Sequence, residues 1–448
     1  MQRRMTDMWR ALTLASTLAL TAASATAAPV LMISIDGLRP GDVLDADKRG
    51  VHVPVLSGLV AQGTYATGVR NVLPTVTYPN HTTLITGVWP AKHGIANNTV
   101  FDPLKKNMDG WYWYARDIKV KTLWDAVHDS HGTVAALSWP VSVGAASIDY
   151  DIPEYWRARN AEDLKLLRAL STPGLVDELE KDTGLTLAAQ YGEMPDNDDA
   201  RARMTGALIA DKHPQLVTLH LASLDHAQHE NGPGTPAAVA VLEKLDGTVG
   251  RLIAEARKAE PDLVVAIVSD HGFAPIEHDV NILKAFVDAG LITLDPKTGK
   301  ATSWDAAPWG GASAAVVLAR PDDAALKARV KAVLDKLAAD PANGIDRVAD
   351  AAEIATMGGT TDATYWIDFK PGYEMGQNPA APQVGPGGVK GTHGYFPTHP
   401  EMRATFIIAG PGIPAKGSLG EIDMRDIAPT LAKVLKVSLP DADGKPLF

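Results

Sequence analysis

An α/β fold, doubly wound around a mostly parallel central sheet with helices on both faces, is what this sequence predicts, and three observations lead to it. Short apolar runs recur, Val30 to Ile35, Leu216 to Leu221 and Leu263 to Val268, each long enough for a buried strand and too short for a helix. Helical patterns lie between them: Thr235-Pro236 opens one, with Leu242, Leu245, Val249, Leu252 and Ala256 at 3.6-residue spacing. Each run also delivers a carboxylate at its end. Asp36 follows Ile35 directly, Asp225 follows through Ala222-Ser223-Leu224, and Asp270 follows through Ser269. Strands that alternate with helices form a parallel sheet covered on both faces, and its binding crevice lies at the carboxyl ends of the strands, where these aspartates converge.

In chain order, the first segment reads as an export signal. Arg3, Arg4 and Arg10 precede an apolar run from Ala11 to Ala22, and Ala25-Thr26-Ala27 has the form of a cleavage site. The run is shorter than the roughly 20 residues a spanning helix needs. Residues 1–27 are therefore expected to be a removed signal peptide, with an uncleaved anchor as the alternative. This predicts a periplasmic or secreted protein with no stable membrane span after signal removal. Residues 28–448 remain as one large domain.

The composition, 46% hydrophobic and 21% charged, is that of a globular chain with a substantial core. The formal net charge of -11 supplies no basic stripe for polymeric nucleic acid, so the expected partner is a small molecule. An anionic substrate would have to be drawn in locally, as bound metal ions can do in an acidic protein. With no cysteine in the chain, any metal must be held by His, Asp, Glu or hydroxyl groups. Two of the strand-end aspartates have histidine partners: Asp225 with His229 four residues on, and Asp270 with His271. One aspartate after a strand can be only a cap or a turn. Repeated Asp plus His pairs make a ligand set for a divalent metal, and mixed oxygen and imidazole donors suit zinc better than magnesium.

Between the first two aspartates runs Pro74-Thr75-Val76-Thr77-Tyr78-Pro79-Asn80-His81, continuing through Thr86-Gly87 to His93-Gly94-Ile95-Ala96-Asn97-Asn98. Pro79 suits the first turn of a helix and Gly87 its end. Thr77 then stands at the helix entrance, where free N–H groups favour an anion; the alternative is a plain threonine cap.

These residues resemble the signature of nucleotide pyrophosphatase/phosphodiesterases, a branch of the alkaline-phosphatase superfamily. The likeness runs in order through Asp36-Gly37, the Thr77 segment, Trp139-Pro140, Asp225 with His229, Ser269-Asp270-His271-Gly272 and Gly391-Thr392-His393-Gly394-Tyr395. The resemblance implies an alkaline-phosphatase-like fold and a phosphodiesterase catalytic domain over 28–448. It further implies two Zn2+ ions, one on Asp36, Thr77, Asp270 and His271, the other on Asp225, His229 and His393. Thr77 is then the nucleophile of a phosphothreonine mechanism. Asn98, or Asn97 beside it, donates to a phosphoryl oxygen together with the backbone N–H after Thr77. Tyr78 and Tyr155 correspond to pocket aromatics that stack on a nucleotide base, or else are rim packing. Trp111 and Trp113 are further pocket candidates.

Two rivals follow. Phosphate monoesterases on the same platform use an additional Lys and Arg, whereas this chain reads Ser138-Trp139-Pro140-Val141-Ser142-Val143-Gly144-Ala145 at the comparable place. That favours a phosphodiester or nucleotide substrate, with nucleoside 5'-monophosphates as products from nucleotides. An inactive periplasmic ligand-binding protein is the other rival, opposed by a full set of ligands. From His271 to His393 the chain leaves the strand-and-aspartate grammar. A strand over Ala314 to Leu318, a helix over Asp323 to Leu337 with Leu326, Val330, Val333 and Leu337 inward, and a Gly/Pro-rich return predict an inserted subdomain at 280–388. Downstream, Ala404 to Ala409 reads as a strand and Asp423 to Leu435 as a closing helix.

Overall fold

The computed structural model describes residues 27–107, 110–157 and 162–448; residues 1–26, which carry nearly all of the expected signal peptide, lie outside it. The apolar runs become Val30–Ile35, Leu216–Leu221 and Val264–Val268, buried along their whole lengths. Continuous apolar strands of this kind are covered on both faces. They lie side by side in an eight-stranded sheet, with Val30–Ile35 between the other two. Val134–Leu137 and Tyr150–Ile152 extend the sheet beyond Leu216–Leu221, and these five strands are parallel. On the other side Phe406–Ala409 runs antiparallel to Val264–Val268, followed by the short strands Thr64–Tyr65 and Gly417–Ser418.

Alternate side chains of each strand serve the two faces. Leu31, Ile33 and Ile35 pack with Leu56 and Leu59 of helix Pro54–Gln62, Leu208 of Pro195–Lys212, and Leu242 and Leu245 of Pro236–Ala259. Val30 and Met32 pack with Leu84 and Ile85 of Thr77–Thr86, Leu123 of Leu123–Asp129 and Leu431 of Ile427–Val434. Each fully buried Leu or Ile contributes about 1.5–3 kcal/mol over leaving it exposed. The closing helix is shorter than expected, because Asp423 accepts the Arg425 N–H and opens a 3-10 turn at Met424–Asp426 instead. The strand expected from Ala404 starts at Phe406.

Past His271 the strand Ala274–Val280 leads away from the main sheet. Beyond it, Ala306–Gly310, Ala314–Leu318, Ala363–Phe369 and Ile345–Asp350 form a second, antiparallel sheet. Helix Ala324–Ala339 packs there through Leu326, Val330, Leu334 and Leu337, with Asp323 accepting the Leu326 N–H at 3.0 Å as its cap. Leu334 takes the fully buried place expected for Val333, which is half-buried. These elements share a core of their own around Phe286, Val316 and Ile367. The chain then returns along Ala274–Val280, where Gly391–Thr392 pairs antiparallel with Ala274 and Pro275. That pairing brings His393 back beside His271. Among the described residues no helix is long and apolar enough to cross a membrane.

Candidate active site

The aspartates meet because their strands are in register. Ile35 pairs with Leu221, and the Asp36 N–H donates to the Leu221 carbonyl at 2.9 Å. The Gly37 N–H donates to Asp270 Oδ1 at 3.2 Å, locking the first strand end to the third. His271 Nε2 lies 3.3 Å from Asp36 Oδ1 and 3.0 Å from Asp270 Oδ2. Asp225 sits on helix Ser223–Asn231, so His229 is one turn further on the same face. Its Nε2 is 3.4 Å from Asp225 Oδ2, while His393 Nε2 is 3.5 Å from Asp225 Oδ1. The His271 and His393 rings stack at 3.5 Å between centroids. Two ligand-forming groups result, Asp36 with Asp270 and His271, and Asp225 with His271 and His393. His271 reaches both, where the resemblance assigned it to one.

The hydrogen bonding of these histidines tests whether a cation fits. His229 Nδ1 is 2.9 Å from the Gly391 carbonyl and His393 Nδ1 is 3.1 Å from the Thr75 carbonyl, so each Nδ1 carries the proton. Each Nε2 is left with a lone pair aimed at carboxylate oxygen, a repulsive arrangement that a cation between them turns attractive. Asp36 Oδ1, Asp225 Oδ1, Asp270 Oδ2 and His271 Nε2 are buried without a hydrogen-bond partner. Buried polar atoms are ordinarily paired, so four orphans turned toward one another fit a metal-binding site. Electrostatics agree. Burial, then the Asp270 and Asp225 carboxylates, push Asp36 well above the usual carboxylate range. Burial acts against ionised Asp270 too, but His271 and His81 hold it below that range, and the His271 imidazole is pushed up to about 9 despite its burial.

Thr77 begins helix Thr77–Thr86. Val76 occupies the cap position without a side-chain hydrogen bond, so Thr77 is not a threonine cap, and Gly87 ends the helix at φ 70°. One turn on, His81 Nδ1 donates to the Thr77 carbonyl at 2.9 Å, and burial lowers its imidazole to about 4. Trp139 packs edge-on against that ring at 4.9 Å. Of the two asparagines, Asn98 reaches the Thr77 helix: its Oδ1 accepts the Tyr78 N–H at 2.8 Å. Asn97 Oδ1 is spent on the Asn98 N–H at 2.8 Å. The backbone donor expected to face a phosphoryl oxygen is therefore held by Asn98 itself.

A cavity of about 210 Å³ opens above Thr77 and Asn98, with Trp111 and Trp156 on its walls. Of the two expected stacking aromatics, Tyr78 is among the residues lining the cavity. The Tyr78 ring is fully buried, packed edge-on against Trp111 at 5.1 Å in a cluster with Trp113. Tyr155 packs on Trp113 at 4.7 Å and is not among the residues lining the cavity. Trp111 and Trp156 are the further aromatic residues on the cavity lining.

Sequence reasoning missed two supports. His220 bridges Glu154 Oε2 at 2.7 Å and Asp36 Oδ2 at 3.0 Å; although burial opposes it, these carboxylates raise its imidazole well above the ordinary value. The signal was a histidine inside the apolar run Leu216 to Leu221. Asp198, fully buried, accepts the Ala222 N–H at 3.2 Å and the Ser223 N–H at 2.9 Å, capping the helix that carries Asp225 and His229. Its partner Arg201 lies at 2.6 Å and also bonds the Gly192 carbonyl. Nothing local in the sequence marks that pair.

The model of the family described as type I phosphodiesterase / nucleotide pyrophosphatase matches residues 30–395. Ectonucleotide pyrophosphatase/phosphodiesterase family member 1 of Mus musculus is 27% identical over 254 residues, 54% of this chain and 24% of that protein. The venom phosphodiesterase of Macrovipera lebetinus is 25% identical over 258 residues, 55% of this chain and 26% of that protein. The chain thus spans about a quarter of the length of these curated relatives. Among solved structures, murine ectonucleotide pyrophosphatase / phosphodiesterase 5, an inactive threonine-to-alanine form in complex with AMP, superposes with a TM-score of 0.67 at 19% identity, covering 93% of this chain and 97% of that one. Its human counterpart gives 0.67 at 21% identity with the same coverage. At such identities the likeness speaks for the fold, which is the alkaline-phosphatase-like α/β fold. With the family pattern matched from the first strand to Tyr395, this chain belongs to the type I phosphodiesterase / nucleotide pyrophosphatase family.

Proposed function

We propose that this protein hydrolyses phosphodiester or pyrophosphate bonds of small molecules, with Thr77 as nucleophile and two zinc ions as cofactors, releasing nucleoside 5'-monophosphates from nucleotide substrates. The observation that carries the reading is the convergence of orphaned carboxylate oxygens and Nδ1-anchored histidines beside the first residue of a helix. Asp36, Thr77, Asp270 and His271 would hold one ion and Asp225, His229 and His393 the other; bound there, the pair would lower the hydroxyl pKa and offset charge on the scissile phosphate. The Thr77 hydroxyl attacks phosphorus in line with the departing oxygen, giving phosphothreonine, which water then cleaves. Asn98 Nδ2 donates to a non-bridging oxygen, its Oδ1 being fixed by the Tyr78 N–H. His220 and Glu154 hold the Asp36 carboxylate in place. The solved murine relative, inactive once its threonine is alanine and holding AMP, supports the same role for Thr77.

The inserted subdomain at 280–388 is proposed to frame the site, since the strand Gly391–Thr392 by which the chain leaves it presents His393. Export to the periplasm or the medium through residues 1–27 is proposed as well; the relatives named for ectoenzymes and venom accord with it. The test is direct. A nucleotide diester quenched in acid during turnover should leave one phosphoryl group on the peptide containing Thr77, and Thr77→Ala should abolish turnover while keeping bound zinc. A phosphorylated residue elsewhere, or undiminished turnover by the alanine variant, overturns the assignment. Bis-p-nitrophenyl phosphate should be cleaved far faster than p-nitrophenyl phosphate; the reverse order makes the enzyme a monoesterase.

A further inference from the structure

Asn98 is fastened from several sides. Its Oδ1 accepts the Tyr78 N–H at 2.8 Å, its own N–H donates to Asn97 Oδ1 at 2.8 Å, and its carbonyl accepts the Tyr112 N–H at 3.0 Å. The next carbonyl along the chain, that of Thr99, accepts the indole N–H of Trp309 at 3.1 Å. Trp309 stands on strand Ala306–Gly310 of the second sheet, 210 positions away in sequence. Trp309 and Trp304 both pack on Phe101, at 5.5 and 5.3 Å between ring centroids. The bonds within this loop, Val100 N–H to the Gly110 carbonyl at 2.8 Å and Tyr112 N–H to the Asn98 carbonyl, tie its two legs to each other. The indole ties them to a strand.

Packing alone does not call for that bond. Trp309 is buried with Leu73, Ala96, Ala315 and Phe396, and a buried indole needs a partner for its N–H. Trp366, in the same cluster, finds one inside the second sheet unit, donating to Ser313 Oγ at 2.9 Å. Trp309 instead directs its N–H outward, to the residue directly after Asn98. It is not among the residues lining the cavity, so any effect on the reaction runs through the loop. We infer that Trp309 is a positioning residue for phosphoryl transfer: its N–H fixes the Thr99 peptide and thereby keeps Asn98 in register with the first turn of the Thr77 helix. The inserted subdomain then acts on the chemistry through a second contact, besides the return of the chain that presents His393. This rests on the phosphodiesterase reading above, with Asn98 as donor to the phosphoryl oxygen, and adds the residue that holds the donor.

The experiment uses the full zinc-loaded chain and two variants. Trp309→Phe keeps an aromatic ring and removes the N–H; Trp309→benzothienylalanine, with sulfur in place of the N–H, keeps the bicyclic shape and serves where the phenylalanine variant does not fold. The Tyr78 N–H lies in the first turn of its helix and has no partner within it. Its hydrogen–deuterium exchange therefore reports whether Asn98 Oδ1 stays in place, and needs no turnover. Exchange there should quicken by about tenfold, the protection of one ordinary hydrogen bond. With bis-p-nitrophenyl phosphate kcat should fall by about tenfold, against about 100–1,000-fold for removing such a donor outright, with KM and zinc content as in the parent. In an Asn98→Ala background the same change at Trp309 should have no further effect, because the group it positions is gone. Unchanged exchange and unchanged kcat, with Asn98→Ala impaired, overturn the inference and leave the phosphodiesterase reading standing. So does a tenfold loss that persists without Asn98, or one matched by a loss of zinc, since Trp309 would then act by another route. Full turnover by Asn98→Ala overturns the reading of Asn98 as donor, and the inference with it.

Discussion

Replacing Asp198 with asparagine perturbs the site without touching a candidate metal ligand. In the native fold its carboxylate is fully buried, pairs with Arg201 at 2.6 Å, and accepts the Ala222 and Ser223 N–H groups at 3.2 and 2.9 Å. The amide keeps the shape but removes the charge, leaving the buried Arg201 guanidinium without its counter-ion, with neutral oxygens such as the Gly192 carbonyl as acceptors. Breaking a buried ion pair from one side costs about 3–5 kcal/mol. One of the two backbone N–H groups must also face the amide NH2, a loss of about 1–3 kcal/mol that overlaps the first. Together a loss of about 4 kcal/mol is expected, read as a lower midpoint in urea unfolding followed by tryptophan fluorescence. Because Ala222 and Ser223 start the helix holding Asp225 and His229, zinc affinity at that end of the site should also fall, by about 10–100-fold as for other supporting partners of metal ligands. Competition with a chromogenic chelator measures it. A variant less than about 1 kcal/mol weaker, binding zinc as tightly as the parent, would show that this pair does not anchor the helix.

Further outcomes are equally concrete. Glu374 is pushed up to about 7 from an ordinary 4.5, by burial first and then by Asp279 opposite it on the neighbouring strand. The folded chain therefore holds a proton there that the unfolded chain gives up near pH 4.5, so stability is full below that pH and declines as pH rises through about 7. The loss is about 3 kcal/mol at most, and Glu374→Gln should flatten the slope of melting temperature against pH; an unchanged slope contradicts this. Thr75→Val removes a hydroxyl that accepts the Gly394 N–H at 3.1 Å and donates to the Tyr395 carbonyl at 2.7 Å, beside the His393 anchor. Two buried groups lose their partner, so denaturant unfolding should show a loss of about 3 kcal/mol; a loss within error would assign those groups another partner. Gly272→Ala sets a Cβ 2.1 Å from the Glu401 carbonyl oxygen, so the chain next to His271 must move. Stability should fall by the upper end of the ~1–3 kcal/mol typical of overpacking and activity should fall with it, whereas a fully active variant would mean that His271 tolerates displacement.

What could be read from the sequence was what local physics writes there. Val30 to Ile35 is uniformly apolar because both faces of its strand are covered, and Asp36 stands out because nothing apolar follows. Pro79 and Gly87 bracket the Thr77 helix through backbone preferences visible in single residues. The unread parts depend on neighbours distant in sequence. Glu154 and His220 are 66 positions apart and meet only because Tyr150–Ile152, which Glu154 follows, and Leu216–Leu221 belong to one sheet. Asp198 and Arg201 look like a solvated helical pair until the packing of Pro195–Lys212 encloses them. Tyr78 carries a ring that suits a pocket wall or a core equally, and Trp111 and Trp113 enclose it. Phe406–Ala409 gives no local sign that it pairs antiparallel in an otherwise parallel neighbourhood.

Crystals of the zinc-loaded protein, with anomalous differences recorded at the zinc absorption edge, go straight to the pair of cations on which the proposed chemistry rests. Two peaks roughly 4 Å apart are expected, one among Asp36, Thr77, Asp270 and His271, the other among Asp225, His229 and His393. A single peak away from both sets, for instance at a third cluster of potential ligands formed by Asp346, Asp368 and His399, or no peak in crystals that still turn over a diester, would contradict a metal-assisted threonine nucleophile in this chain.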